Sequence, residues 1–191
     1  MQALASLIEG YGAPYVFDRN LEQEGVLETL EYCAKVHVNR HVRAAGLLLF
    51  DTVVTGAALG MKDEEVEVSK KYENESRLPA PLFNSLLAIL EATLSDNWSQ
   101  VRMASSVLCR SFLLLHSSLP SKLPPFVQNK VTPVLPTFLT TTIFPKLIPN
   151  MCLNRFYLAE GVKLYSQETW RLCVKEEGVK VVANNARVVV S

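Results

Sequence analysis

The segment of residues 79–119 constrains the fold most, because two long apolar runs flank one short polar break. In the first run Leu82, Leu86 and Leu90 recur every four residues, which is the spacing of one buried helix face. Residues 95–97 are Ser-Asp-Asn, whose side chains hydrogen-bond to the local backbone and favour a turn. The segment therefore predicts two apolar helices joined by a tight turn.

Two other stretches repeat this helix–turn–helix pattern. Residues 21–60 contain an amphipathic run and a turn at Asn39-Arg40, followed by a second helix opened by Val42-Arg43. In residues 126–165, Phe144-Pro145 to Pro149 predicts the turn, and Leu153-Asn154-Arg155 predicts the start of the second helix. Ser166 is then expected to cap the first helix of a partial fourth unit, residues 166–191.

The turn at Asp96 carries the one family resemblance in the chain. The pattern Asp-x-x-x-x-Val-Arg, here Asp96 to Arg102, resembles the turn and second helix of a HEAT or armadillo-type repeat. In that family the Asp and the Arg commonly tie neighbouring units together, so the resemblance implies this role for Asp96 and Arg102. By position, Arg43 and Arg155 are expected to play the same part in their own units. The small residue usual three positions after the Arg is Ser105 here, so the match is approximate.

The spacing of the units is irregular for that family. Arg43, Arg102 and Arg155 are 59 and 53 residues apart, whereas HEAT and armadillo repeats recur every ~40–47 residues. A charged insertion over residues 61–78 and a proline-rich linker after residue 116 account for the surplus. We therefore expect a degenerate array forming one domain over residues 1–191, and an apolar ending typical of a fragment of a longer protein.

The resemblance and the helical periodicity together give the expected fold class. It is an all-α, right-handed α-α superhelix (a solenoid) of three helix pairs, with units at 21–60, 80–118 and 126–165 and a partial fourth. Nearly half of the residues are apolar, which is enough for a sizeable core. With 19 basic and 19 acidic residues, the formal net charge is zero, which disfavours binding carried mainly by nucleic-acid phosphates.

The cysteines and the apolar runs bear on the compartment. Cys33, Cys109, Cys152 and Cys173 are far apart in apolar contexts, which is typical of buried thiols in a reducing compartment. No basic region precedes an apolar run at the amino terminus, so we expect an intracellular protein. Asp51 and Arg110 interrupt the longest apolar runs, so no membrane span is expected.

Few residue patterns point to chemistry. Cys33, His37 and His41 are four residues apart and would face a zinc ion from one continuous helix, but the turn predicted at Asn39 disfavours that geometry. His116 lies at a helix end, where a structural role is favoured over a catalytic one. Since no phosphate-binding glycine loop, nucleophile elbow or zinc-protease motif is present, we expect neither an enzyme nor a cofactor.

The expected function is a non-enzymatic scaffold or adaptor for other proteins, because stacked helix pairs build extended binding surfaces. Trp98, Arg110 and Trp170 are the candidate partner surface. The alternative is a nucleic-acid-binding helical repeat that uses an arginine-lined groove formed by Arg102, Arg110 and Arg155.

The carboxy-terminal end is expected to form an open apolar face that promotes self-association. Its candidate residues are Trp170, Leu172, Val174, Val181 and Val182. The competing interpretation is that the valine-rich tail folds back and caps the array itself.

Overall fold

A computed structural model describes residues 25–60, 76, 78–117, 137–174, 179–180 and 182–183. Within these ranges the regular structure is helical and contains no strand, which confirms the predicted all-α class. The α-helices are α1 (Val26–Lys35), α2 (Arg40–Gly60), α3 (Ala80–Thr93), α4 (Ser99–His116), α5 (Phe144–Asn154) and α6 (Glu160–Thr169).

The helices form two rows. Helices α1, α3 and α5 pack side by side in the first row, and α2, α4 and α6 pack side by side in the second. Short turns join α1 to α2, α3 to α4 and α5 to α6, so each pair contributes one helix to each row. Side-chain contacts between successive turns, described below, place all three turns along one edge of the molecule.

Helix α4 lies at the centre of the core. It contacts α2 and α6 in its own row and α3 in the other, and nine of its apolar or small side chains are buried. At its carboxy-terminal end the rings of Phe83, Phe112 and Phe138 surround His116, with Phe112 stacked on Phe83 at 5.7 Å between centroids. The segment that predicted the helix pair from sequence is thus also the centre of packing.

One glycine permits a close contact between the two helices of the first pair. A Cβ atom added to Gly46 of α2 would lie 3.0 Å from the Cα atom of Ala34 in α1. Real Cβ atoms avoid such distances, so a larger residue would push the two helices apart.

The prediction of a turn over residues 144–149 is wrong, because these residues lie within α5. Pro145 occupies the first helical turn, where a missing N–H is tolerated. Residues Leu139–Ile143 before it form a π-helical turn, in which the N–H of Phe144 donates to the carbonyl of Leu139, five residues earlier. This wider turn accommodates the proline ring, which would clash with the carbonyl four residues before it in an ordinary helix.

The predicted helix boundary at Ser166 is also wrong. Helix α6 runs through this position to Thr169 and continues as a π-helical turn, Trp170–Val174. The Ser166 side chain is buried, with its hydroxyl 3.5 Å from that of Ser106 in α4. A buried residue inside a helix has no free N–H groups to cap.

Several sequence predictions lie outside the described residues. These are the helix start at 21–24, most of the charged insertion, the linker after Ser117 and the unit start at 126–136. Among the described helices, none combines the length and hydropathy that crossing a bilayer requires.

Candidate functional site: the row of turns

An ion pair links the first helix pair to the second. Arg43, in the first turns of α2, places its Nη2 atom 3.0 Å from a carboxylate oxygen of Asp96, in the turn between α3 and α4. Both side chains are largely shielded, with 11% and 14% of their surface exposed. The other end of the same guanidinium donates to the carbonyl of His37 in its own turn, at 2.7 Å. Arg43 therefore holds its own turn and the next one together.

Arg102 makes the corresponding contacts one pair further along. Its guanidinium donates to the carbonyls of Leu94, Ser95 and Asp96 at the end of α3. These carbonyls have no partner within the helix, and a cation suits the negative end of the helix dipole. Its Nη1 atom also lies 2.6 Å from the side-chain oxygen of Asn154 in the next pair.

Asn154 completes this second link. It is the last residue of α5 and is fully buried, and its amide nitrogen donates to the carbonyl of Leu94 at 2.9 Å. The role implied for Arg102, tying neighbouring units together, predicts that it reaches a carboxylate or helix-end carbonyls of an adjacent unit. The carbonyls instead belong to its own pair, and a neutral amide is the acceptor across the junction.

Backbone hydrogen bonds define which residues are equivalent in the three pairs. The N–H groups of Arg43, Arg102 and Lys163 each donate to the carbonyl of the residue just before their helix, four positions earlier: Asn39, Trp98 and Ala159. The third equivalent of the two arginines is therefore Lys163. It follows Arg102 by 61 residues, close to the 59 between Arg43 and Arg102.

The predicted placement of Arg155 at the start of a second helix is wrong, because Arg155 follows the last residue of α5. The turn from α5 to α6 comprises residues 155–159, so four residues separate Arg155 from the start of α6. Arg155 lies over the ring of Trp170, 4.4 Å from its centroid, and its buried Nε atom has no hydrogen-bond partner among the described residues.

Arg–aromatic contacts accompany both links. The guanidinium of Arg40, at the start of α2, lies 4.2 Å from the ring centroid of Trp98 in the second turn. Arg102 lies 4.5 Å from the ring centroid of Tyr157 in the third turn. Tyr157 precedes Lys163 by six residues, as Asp96 precedes Arg102, so an aromatic ring replaces the carboxylate at the second link. A cation over an aromatic face is attracted by the negative potential of the ring, so these contacts add to the links between turns.

The three residues predicted as a partner surface lie in different environments. Trp98 is about half exposed on the row of turns. Arg110 lies on α4, where its Nη1 atom is 3.5 Å from Glu168 of α6 and its guanidinium lies over Tyr165. Trp170 is buried beneath Arg155 and offers no exposed contact face. The structure therefore does not bring these three side chains together at one surface.

The expected open apolar face at the carboxy-terminal end is not formed by its described candidates. Trp170 and Val174 are buried, and Leu172 and Val182 pack against the core. Val181 lies outside the described residues. The helix that carries Trp170 and Val174 packs against α4, which buries the apolar side chains that the sequence suggested were unpartnered.

The exposed apolar side chains of the turns are candidate functional residues that the sequence pattern did not predict. Leu158 is 98% exposed, Val38 89% and Phe156 75%. Turns are usually polar, so the apolar residues that follow Asn154-Arg155 were the available signal. The predicted start of a helix at Leu153-Asn154-Arg155 placed residues 155–159 in that helix, so their apolar side chains did not indicate an exposed turn.

The candidate zinc ligands do not share one helix. Helix α1 ends at Lys35, between Cys33 and His37, and α2 begins before His41. The Nδ1 atom of His37 accepts the N–H of Asn39, which fixes this ring within the turn. No group of three potential metal ligands occurs in the part of the chain that the structure describes.

Two thiols, one imidazole and one carboxyl are titratable groups that lie buried or partly buried against other groups of the core. Burial raises the pKa of Cys173 to about 12 and raises that of Cys109 further, so both thiols stay protonated near neutral pH. His116 is enclosed by aromatic rings, and its ring nitrogens contact the Phe112 carbonyl and the Ser76 hydroxyl. Burial also raises the pKa of Asp51, against the lowering effect of a hydrogen bond with Ser111 of α4.

Comparisons with known proteins add no relative: no protein-family model, curated protein or solved structure matches this chain.

Proposed function

We propose that the chain is a non-enzymatic scaffold that binds other proteins through a solenoid of helical repeats of the HEAT or armadillo type. The carrying observation is that one position, Arg43 in the first pair and Arg102 in the second, links each pair to the next. A recurring link of this kind is expected where similar units stack on their neighbours.

The surface chemistry also favours protein partners. Large apolar side chains stand exposed along the row of turns, while the thiols of Cys109 and Cys173 are buried and protonated. Exposed apolar side chains gathered in one region mark contact sites more often than single ones do. The exposed apolar side chains along the row of turns therefore support a surface that binds proteins.

The nucleic-acid alternative gains no support from the side-chain geometry. Arg102 is engaged by backbone carbonyls and Asn154, Arg110 by Glu168, and Arg155 lies over Trp170. A groove for phosphates needs several cations directed at the ligand, whereas Arg102 and Arg110 are engaged by other groups of the protein and only Arg155 lacks such a partner among the described residues.

Capture followed by reconstitution tests the proposal. The full chain would be cross-linked in cell extract, and each protein recovered would be purified and titrated against the purified chain by calorimetry. We expect at least one direct, stoichiometric protein complex that persists at 200 mM salt. If every recovered protein fails to bind directly, and affinity for nucleic acid falls steeply between 50 and 200 mM salt, the alternative is correct.

A further inference from the structure

We propose that the row of turns is a docking edge for an acidic segment of a partner protein that also carries aromatic or large aliphatic side chains. We define the turn edge as residues 36–40, 94–98 and 153–158. The inference rests on the proposed function and specifies which surface binds and what chemistry it recognises.

The turn edge carries the most exposed apolar side chains of the described residues. In decreasing order of exposure these are Leu158, Val38, Phe156 and Leu153, from 98% to 68%. Trp98, in the second turn, lies between Val38 of the first turn and the other three at the third, and it is 48% exposed. Arg40 of the first pair touches Trp98, and Arg102 of the second touches Tyr157, so the three turns are contiguous. The edge therefore offers apolar contacts along its length.

The charge of the turn edge is positive. Four arginine guanidinium groups reach it, from Arg40, Arg43, Arg102 and Arg155, and its one carboxylate, Asp96, is paired with Arg43. Even when Glu160, the next carboxylate along the chain, is counted, the four guanidinium groups outnumber the carboxylates. Carboxylates of a partner are thus the complementary charge.

Two of these arginines are available for such carboxylates. Within the described ranges, neither Arg40 nor Arg155 forms an ion pair, and each lies over an indole ring, of Trp98 and Trp170. An indole face leaves the guanidinium free to bind a carboxylate at its edge. Stacking also fixes the side chain in advance, which lowers the entropy cost of binding.

The combination favours a protein segment over a nucleic acid. Leu158 and Val38 project aliphatic groups that have no complement on a phosphate backbone. A peptide with alternating acidic and large apolar side chains matches both features of the edge.

A displayed library of random twelve-residue peptides, selected against the full chain, tests the specificity. We expect the selected peptides to be enriched in Asp and Glu together with Leu, Phe or Trp. The affinities of two selected peptides would then be measured against the chain and its variants by fluorescence anisotropy, with a single-stranded oligonucleotide as a parallel probe.

Matched variants locate the site. Arg40→Glu changes a partly exposed cation of the turn edge and Leu158→Ser a fully exposed apolar side chain, and we expect each to weaken peptide binding roughly tenfold or more. Leu48→Ser and Leu164→Ser change side chains of α2 and α6 that are about half exposed and are not part of the turn edge, so they should leave affinity unchanged. Circular dichroism would verify that all four variants keep their helix content.

Each other outcome overturns the inference. If no acidic peptide is enriched, or if the oligonucleotide binds more tightly than any peptide, the edge does not recognise acidic protein segments. If peptides bind but only Leu48→Ser or Leu164→Ser weakens them, the docking surface lies elsewhere. In that last case the scaffold function stands while the assignment of the edge fails.

Discussion

The two junctions between helix pairs use the same arginine position with different acceptors. Between the first and second pairs, Arg43 meets the carboxylate of Asp96. Between the second and third, Arg102 meets the neutral amide of Asn154 and the ring of Tyr157. In both pairs the arginine occupies the same position in the second helix of the pair, while the group that it contacts in the next pair differs. A geometric requirement, rather than one residue pair, therefore defines the link.

The two junctions also differ in how fully the arginine is satisfied. Arg102 donates to three carbonyls and one amide oxygen. Arg43 donates to one carbonyl and one carboxylate, and its buried Nε atom has no partner among the described residues. Because a buried donor without a partner costs free energy, we expect the second junction to stabilise the fold more.

The largest effect is expected for Arg102→Ala. Removing this side chain leaves helix-end carbonyls and the buried Asn154 without their cationic donor, which should lower the free energy of unfolding by about 3 kcal/mol. Urea denaturation measures it. Arg110→Ala is the matched control, because it breaks an ion pair whose Glu168 partner is half exposed and should cost less than about 1 kcal/mol.

Arg43→Ala should have a smaller effect, about 2 kcal/mol, because this arginine makes fewer contacts. The cost should decrease only slightly in 1 M salt, because the Arg43–Asp96 pair is largely shielded from solvent, while that of Arg102→Ala should not change. Urea denaturation at low and high salt compares the two. Equal salt dependence at both junctions would contradict the distinction between an ionic and a neutral acceptor.

Asp51 gives the first junction a pH dependence. Its carboxyl lies between α2 and α4, and burial raises its pKa above the ordinary value of 3.8, so the folded state binds the proton more tightly. The stabilising contribution of protonation is complete below pH 3.8 and is lost as the pH rises through the raised pKa. Asp51→Asn should therefore be more stable than the parent at pH 7 and about equally stable below pH 3.8, as thermal unfolding across this range would test. A higher stability of the parent than of Asp51→Asn at pH 7 would contradict this prediction.

The smallest effect is expected at the third equivalent position. Lys163 aligns with Arg43 and Arg102, but no acceptor for its side chain occurs in the described part of the chain. Lys163→Ala should change the free energy of unfolding by no more than about 0.5 kcal/mol in urea denaturation. A loss near that of Arg43→Ala would mean that a third junction of the same kind exists.

The sequence predicted the central pair well, because its signals are local. The periodic leucines of α3 and the polar residues around Asp96 specify two helices and a turn without reference to the rest of the chain. The position of Arg102 followed from the same pattern. Its contact with Asn154 did not follow, because that contact depends on how the third pair stacks on the second.

The third pair was predicted poorly, because local rules conflict there with packing. Pro145 and Pro149 suggested a turn, yet the preceding π-helical turn accommodates Pro145, and the helix also continues through Pro149. Leu153-Asn154-Arg155 suggested the start of the second helix, whereas four further residues separate Arg155 from α6. Large apolar residues such as Phe156 and Leu158 are expected in the core, so their exposure on the turn edge could not be predicted from the sequence and is seen only in the structure.

A double-mutant cycle between Arg102 and Asn154 tests most directly whether an arginine of one pair holds the next. Free energies of unfolding would be measured for the parent, Arg102→Ala, Asn154→Ala and the double variant. We predict a favourable coupling energy of about 1–2 kcal/mol, because the two side chains are in direct contact. Additive effects, with no coupling, would contradict the claim that this contact joins the second pair to the third.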